Sequence, residues 1–300
     1  MAGDAAGEPT LIAHRGFLGE SPENTVAAIR RATRGEGSFA PGGEGSIAPE
    51  GRAVGAASSR ADFVEIDAVP TADGDVVAFH PADLAGRRVE DGGRPLTDAT
   101  GLVWEADTPT VTAAEVLRSG ERVPLLSTML DAVPADVGVN IELKNPGHPD
   151  PRPGEPLDEA ALADRKAIWR PFVDRIVDLV EDRDNEILLS TFFEAGLATV
   201  RERAAHPVAV LFNDSIADGL ALADRYDAAA VHPRVEMIRG TPFFDGSRFA
   251  DIDLVTAAHE RDRSVNAWTV TTWYQADRLA AAGVDGVIAD YSTVLRRNAD

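Results

Sequence analysis

The chain has no cysteine, three methionines and only two lysines, Lys144 and Lys166, so all but two of its 29 basic residues are arginine. The lack of cysteine excludes disulfide staples, thiolate metal sites and a cysteine nucleophile together. Aromatic residues make up only 6% of the chain, and no apolar run approaches the roughly 20 residues of a membrane-spanning helix. Residues 1–10 (MAGDAAGEPT) carry neither the basic nor the apolar segment of a secretion signal. A cytoplasmic protein without stable membrane insertion is therefore expected. Positive charge is also scarce: 50 acidic residues leave a formal charge of −21 and a pI near 4.6. Such a surface repels nucleic-acid phosphates, and an anionic small substrate would need a local basic patch. The acidic, lysine-poor composition fits work in concentrated salt, where the screening length falls to about 3 Å near 1 M, and a halophilic source is expected.

What is present is enough for a folded enzyme. In a chain of 300 residues, 44% of them hydrophobic, roughly three quarters of the unfolded surface can be buried. Short β-branched runs at 10–13, 62–67, 76–80, 137–143, 186–190, 207–212, 228–232, 264–270 and 285–289 alternate with helical stretches at 24–33, 112–118, 158–183, 194–204, 216–225, 249–261 and 272–282. Thr112 and Glu115 read as a capping box, and Gly283 as a helix stop. This alternation predicts an α/β fold, a single (β/α)8 TIM-type barrel over residues 1–300. No GxGxxG follows the first strand, which disfavours a dinucleotide-binding sheet. Residues 35–60, rich in Gly, Ala, Ser and Pro, read as a mobile low-complexity insertion after the first helix, on the N-terminal face. The loop at 145–156 follows a strand and is expected to form a rim or lid over the catalytic face.

Chemistry-bearing residues fall at strand ends. The first strand stops in His14-Arg15-Gly16, a proton carrier, a fork for phosphate and a backbone free to turn. In the second, Glu65 and Asp67 share one face, and such carboxylates inside a barrel require a neutralising partner such as a hard divalent cation. Glu142 can complete an oxygen site, and Lys144, two residues on, can hold an anionic oxygen beside it. A solvated acidic face and a simple buried Glu142–Lys144 pair are the plainer alternatives. His80 ends VVAFH. A hairpin through 71–74 is expected to leave it at the far rim, whereas an extended 68–75, spanning up to roughly 26 Å, allows parallel re-entry beside Asp67. The parallel path is expected, with His14 and His80 flanking the carboxylates. His232 can line the pocket or serve structure, and His148, His206 and His259 are assigned no chemistry.

Taken in order, His14-Arg15-Gly16 with PENT, then VEID, TADG running into VVAFH, IELK, and Ala267-Trp268-Thr269-Val270 with GVDGVIADY resemble the glycerophosphodiester phosphodiesterases. The resemblance implies a TIM-type barrel that holds one divalent cation, Ca²⁺ or Mg²⁺, and hydrolyses glycerophosphodiesters to glycerol phosphate and an alcohol. It implies Glu65, Asp67 and Glu142 as metal ligands, His14 and His80 as the acid/base pair, Arg15 and Lys144 as phosphate-binding residues, and Trp268 as a pocket aromatic. The chain departs from the family pattern at Pro81, where Asp usually follows the histidine, and at Thr271, where Asn is common. Asp83 is the nearby candidate to orient His80 instead. Lysophospholipid or phosphoinositide cleavage and a non-catalytic phosphate-binding barrel are the other readings. The polar, Pro-rich 145–156 loop favours water-soluble diesters.

Overall fold

The computed structural model describes residues 8–34, 59–86 and 94–295. Eight parallel strands form its centre: β1 (Thr10–Ala13), β2 (Phe63–Pro70), β4 (Gly138–Leu143), β5 (Ile187–Thr191), β6 (Val208–Phe212), β7 (Ala230–Pro233), β8 (Ser264–Val270) and β9 (Gly286–Ala289). Each pairs with the next, and β1 bonds to both β2 and β9, which closes the (β/α)8 barrel. Seven of these strands are buried along nearly their whole length, as expected where helices cover one face and side chains fill the other.

The helices are α1 (Val26–Ala32), α2 (Thr108–Ala113), α3 (Leu126–Asp131), α4 (Glu159–Val180), α5 (Glu194–Arg203), α6 (Ile216–Arg225), α7 (Gly246–Phe249), α8 (Leu254–His259) and α9 (Trp273–Ala281). Side chains of Thr25, Asp158, Ser215, Asp253 and Thr272 cap the starts of α1, α4, α6, α8 and α9. α4 buries Trp169, Phe172, Val173, Ile176 and Val180 on one side. Each such side chain contributes about 1.5–3 kcal/mol through its removal from water. A satellite core groups Val69, Val77, Phe79, Leu84, Leu96, Val103, Val111 and Val123, most of them from the stretch that precedes β4.

Three local expectations are corrected. The strand expected at 76–80 does not re-enter in parallel: β3 (Val76–Ala78) runs antiparallel to the upper end of β2, with Ala68 opposite Ala78 and Pro70 opposite Val76. Val69 and Pro70 lie past the last β4 partner of β2, and a turn with Gly74 at φ +83° reverses the chain there. A short hairpin closes at lower entropy cost than a crossover, and its return carries His80 back beside Asp67, where the Phe79 N–H donates to the Asp67 carbonyl (3.0 Å). The capping box at Thr112 is also absent. Asp107 caps the earlier helix α2, and the Thr112 hydroxyl donates to the Thr108 carbonyl, while 114–123 folds back on itself around left-handed Leu117 and Arg118. The expected helix at 249–261 is two short ones, α7 and α8, and α3 lies where no helix is expected. The low-complexity stretch 35–60 lies outside the described residues but for Ser59 and Arg60.

Candidate active site

β1 ends in a tight turn at the barrel mouth, with Arg15 at φ 50° and Gly16 at φ 76°. A Cβ on Gly16 would stand 2.7 Å from the Ala28 Cβ, so this close approach of loop to helix needs glycine. The turn aims the Arg15 backbone N–H at Glu65 Oε2 (2.7 Å). The Arg15 guanidinium donates to Glu23 Oε1 (2.8 Å) and lies 3.1 Å from Asp67 Oδ2.

Register does the rest. Period two puts Glu65 and Asp67 on the inner face of β2, and parallel pairing sets Asp67 beside Glu142 and Glu65 beside Asn140. Oxygens of Glu65, Asp67 and Glu142 lie within 4.8 Å of one another, and the three residues are 2%, 0% and 7% exposed. Lys144 Nζ sits 2.8 Å from Asp67 Oδ1 and bonds Glu142. The plainer Glu142–Lys144 pair is thus present, but as part of a larger cluster.

The electrostatics separate the three carboxylates. Burial pushes Glu65 well up, reinforced by Asp67 and Glu142, and burial also raises Glu142 against the pull of Lys144. Burial acts the same way on Asp67, but Lys144, His80 and Arg15 outweigh it and hold that carboxyl below its ordinary range. Burial and the Lys144 charge keep His80 well below the usual imidazole value, hence neutral near pH 7. With all four acids ionised, Glu23 included, two negative charges would stand beyond those balanced by Arg15 and Lys144, which is the charge of one divalent ion. Glu65 Oε1 and Asp67 Oδ1 are buried without a hydrogen bond. An all-oxygen donor set with free lone pairs suits a hard cation such as Ca²⁺ or Mg²⁺.

His14 and His80 both line the cleft above these groups, with Arg15, Lys144 and Trp268. The far wall is neutral: Phe192, Leu211, Trp268, Thr269 and Ile288. Trp268 is fixed from several sides. Its indole N–H donates to the His232 carbonyl (2.7 Å), Phe192 meets it edge-on at 5.7 Å, and Arg234 lies 5.8 Å from its ring centre. His232 is fully buried and accepts a hydrogen bond from Asn266 (3.1 Å), and burial brings its pKa down to about 3. It supports the Trp268 wall from below.

Two site residues escape the sequence reading of roles. Asp290, just past β9, places Oδ1 2.7 Å from His14 Nδ1. The signal was the closure of the barrel, which makes the last strand a neighbour of the first. Phe192, just past β5, carried no distinguishing signal. Asp83 does not take the place of the residue replaced by Pro81. Its carboxylate accepts from the Ala85 N–H, and among the described residues no carboxylate hydrogen-bonds His80. The loop after β4 is tied down at the mouth: Gly154 N–H donates to the Phe192 carbonyl (2.7 Å), Leu157 N–H to Glu194, and Arg165 to Asp150 (2.7 Å). It forms a braced rim.

Residues 54–294 match the model of the glycerophosphoryl diester phosphodiesterase family. The chain is 24% identical over 284 residues to a glycerophosphodiester phosphodiesterase of Caldanaerobacter subterraneus subsp. tengcongensis, with 93% of each covered. It is also 24% identical over 290 residues to one from Bacillus altitudinis, with 94% of each covered. Among solved structures, a phosphodiesterase of Oleispira antarctica in complex with its product sn-glycerol-3-phosphate shares the fold, with a TM-score of 0.67 and 20% identity over 95% of this chain and 94% of that one. With the family model spanning most of the barrel and the acidic mouth within it, the chain belongs to the glycerophosphoryl diester phosphodiesterase family of phosphoric diester hydrolases.

Proposed function

We propose that this protein hydrolyses small, water-soluble glycerophosphodiesters to glycerol phosphate and an alcohol, with one divalent cation, Ca²⁺ or Mg²⁺, held by Glu65, Asp67 and Glu142. The observation that carries the reading is the gathering of three buried carboxylates, two basic side chains and two imidazoles at one barrel mouth. When bound, the ion supplies fixed positive charge against a phosphate oxygen. Arg15 and Lys144 add their own charge at the equatorial oxygens, where negative charge grows as the P–O bond to the alcohol breaks. This local patch overcomes the −21 background that would otherwise repel the substrate.

The two histidines divide the proton work. His80, neutral and with no carboxylate hydrogen-bonded to it among the described residues, takes the proton from the attacking hydroxyl as its oxygen bonds to phosphorus. The hydroxyl is that of water or of the neighbouring glycerol carbon, and in the second case water then opens the cyclic phosphate to glycerol phosphate. His14 gives a proton to the departing alcohol oxygen. Asp290 supports the second role, because a carboxylate at 2.7 Å accepts the Nδ1 proton and fixes the orientation of the ring. Trp268, Phe192 and Leu211 offer an apolar wall to part of the substrate, and the whole chain reads as one catalytic unit.

Turnover of glycerophosphocholine and of a p-nitrophenyl ester of glycerol phosphate, each with titrated cation, tests both levels. General acid–base groups contribute about 10²–10⁴-fold. His14→Ala is expected to lose that much on the choline ester and little on the nitrophenyl ester, whose leaving group needs no proton. His80→Ala is expected to lose it on both. Equal losses for the two variants would reverse or remove the division, and no turnover by the wild-type protein on either ester would remove the activity.

A further inference from the structure

Asn24 is 2% exposed and sits in the left-handed region at φ 53°, just before the Thr25 cap of α1. Its backbone N–H donates to the Arg15 carbonyl (3.1 Å), which ties it to the phosphate-facing turn. The side chain is wholly committed to one residue. Nδ2 donates to Asp67 Oδ2 (2.8 Å), and Oδ1 accepts from the Asp67 backbone N–H (3.2 Å). One amide thus grips both the main chain and the carboxylate of the most buried acid in the site.

The grip divides the two oxygens of Asp67. Oδ2 accepts from Asn24, with the Arg15 guanidinium 3.1 Å away as an ion pair rather than an aligned hydrogen bond. Oδ1 lies 2.8 Å from Lys144 Nζ but outside hydrogen-bond alignment, so it stays buried with a free lone pair. Rotation about the Asp67 side chain would exchange these oxygens, and the Asn24 amide opposes it because its donor and acceptor are both in use. The left-handed backbone favours asparagine or glycine at this position, but it does not ask for the two side-chain contacts to Asp67. Thr25, the next residue, supplies the helix cap.

We propose that Asn24 is a positioning residue for the cation: it reserves Asp67 Oδ2 so that Oδ1 is the oxygen presented to a divalent ion. This rests on the cation reading given above. Partners that orient a metal-ligating carboxylate from behind typically account for about 10- to 100-fold in metal affinity. The share from Asn24 is an affinity, measurable without substrate.

The test is calorimetric titration of chelator-stripped protein with Ca²⁺ and with Mg²⁺, comparing wild type, Asn24→Asp and Asn24→Gly. Both replacements tolerate the left-handed backbone. The aspartate keeps an acceptor for the Asp67 N–H but has no amide to donate, and glycine keeps neither. Asn24→Gly is expected to bind the ion about 10- to 100-fold more weakly, and Asn24→Asp, whose added charge beside Asp67 attracts the ion, less so, both remaining folded by circular dichroism. A folded Asn24→Gly with a dissociation constant within about twofold of wild type overturns the role of Asn24 and leaves the cation reading standing. A wild-type protein that binds neither ion overturns the cation reading itself and this inference with it.

Discussion

The two halves of the barrel mouth differ in kind. β1, β2 and β4, with the hairpin above β2, supply every ionisable group that lines the cleft among the described residues: His14, Arg15, Glu65, His80, Glu142 and Lys144. β5 through β9 present Phe192, Leu211, Trp268, Thr269 and Ile288 to it. Asp290, at the end of β9, works on the charged side because barrel closure sets it beside His14. On the proposed activity, the difference lets one cleft serve two demands. Phosphate needs fixed charge in a dry setting, whereas the organic part of the substrate needs a shaped wall with no strong charge to mispair.

The largest effect should come from the charged half. Glu65→Gln keeps shape but removes one negative charge, and kcat is expected to fall at least about a thousandfold with weakened cation binding. A loss under about tenfold in a cation-titrated assay would break the division. On the neutral half, Trp268→Ala should leave the cation dissociation constant unchanged and lower kcat/KM by about 10- to 200-fold, unequally among alcohol groups. An equal loss across glycerophosphocholine, glycerophosphoethanolamine and glycerophosphoglycerol would assign the wall no selectivity.

A smaller effect is set by pH. Burial raises Glu65 and Glu142 above the ordinary 4.5, so the cation-free folded state holds protons that the unfolded chain has released. Stability from these two groups is present below about pH 4.5 and lost as pH rises through their folded values. Bound cation removes those protons and with them that loss. The gain in Tm on adding Ca²⁺ or Mg²⁺ should therefore grow as pH rises above 5, and a constant or shrinking gain in calorimetric scans would contradict the raised values. The smallest effect concerns neither half but the shared acidic surface: raising NaCl from about 0.1 to 1 M should raise Tm by a few degrees as self-repulsion is screened. Loss of stability with salt would remove the halophilic reading.

Most of the charged half was legible in the chain. Glu65 and Asp67 two residues apart, and Glu142 and Lys144 likewise, declare a shared face wherever a strand forms. His14 and Arg15 stand where a first strand must stop. The path to His80 differs from the expected crossover because hairpin pairing reflects residues about the turn: with the reversal near Asp73 and Gly74, the partner of His80 falls close to Asp67, not at the opposite rim. Asp290 and Asn24 were visible as residues but not as partners. Their contacts join positions 276 and 43 residues apart, and no local pattern carries such a pairing.

The sequence by itself determined the alternation of strands and helices, the acid-rich surface and the strand ends at which carboxylates, imidazoles and cations would emerge, since these follow from periodicity and side-chain chemistry within short windows. Only the tertiary structure decided which of these groups meet, which oxygen of Asp67 is held by Asn24 and which faces Lys144, and that the last strand braces the first histidine. Those outcomes depend on register and closure, set by the packing of the whole barrel rather than by any one segment of it.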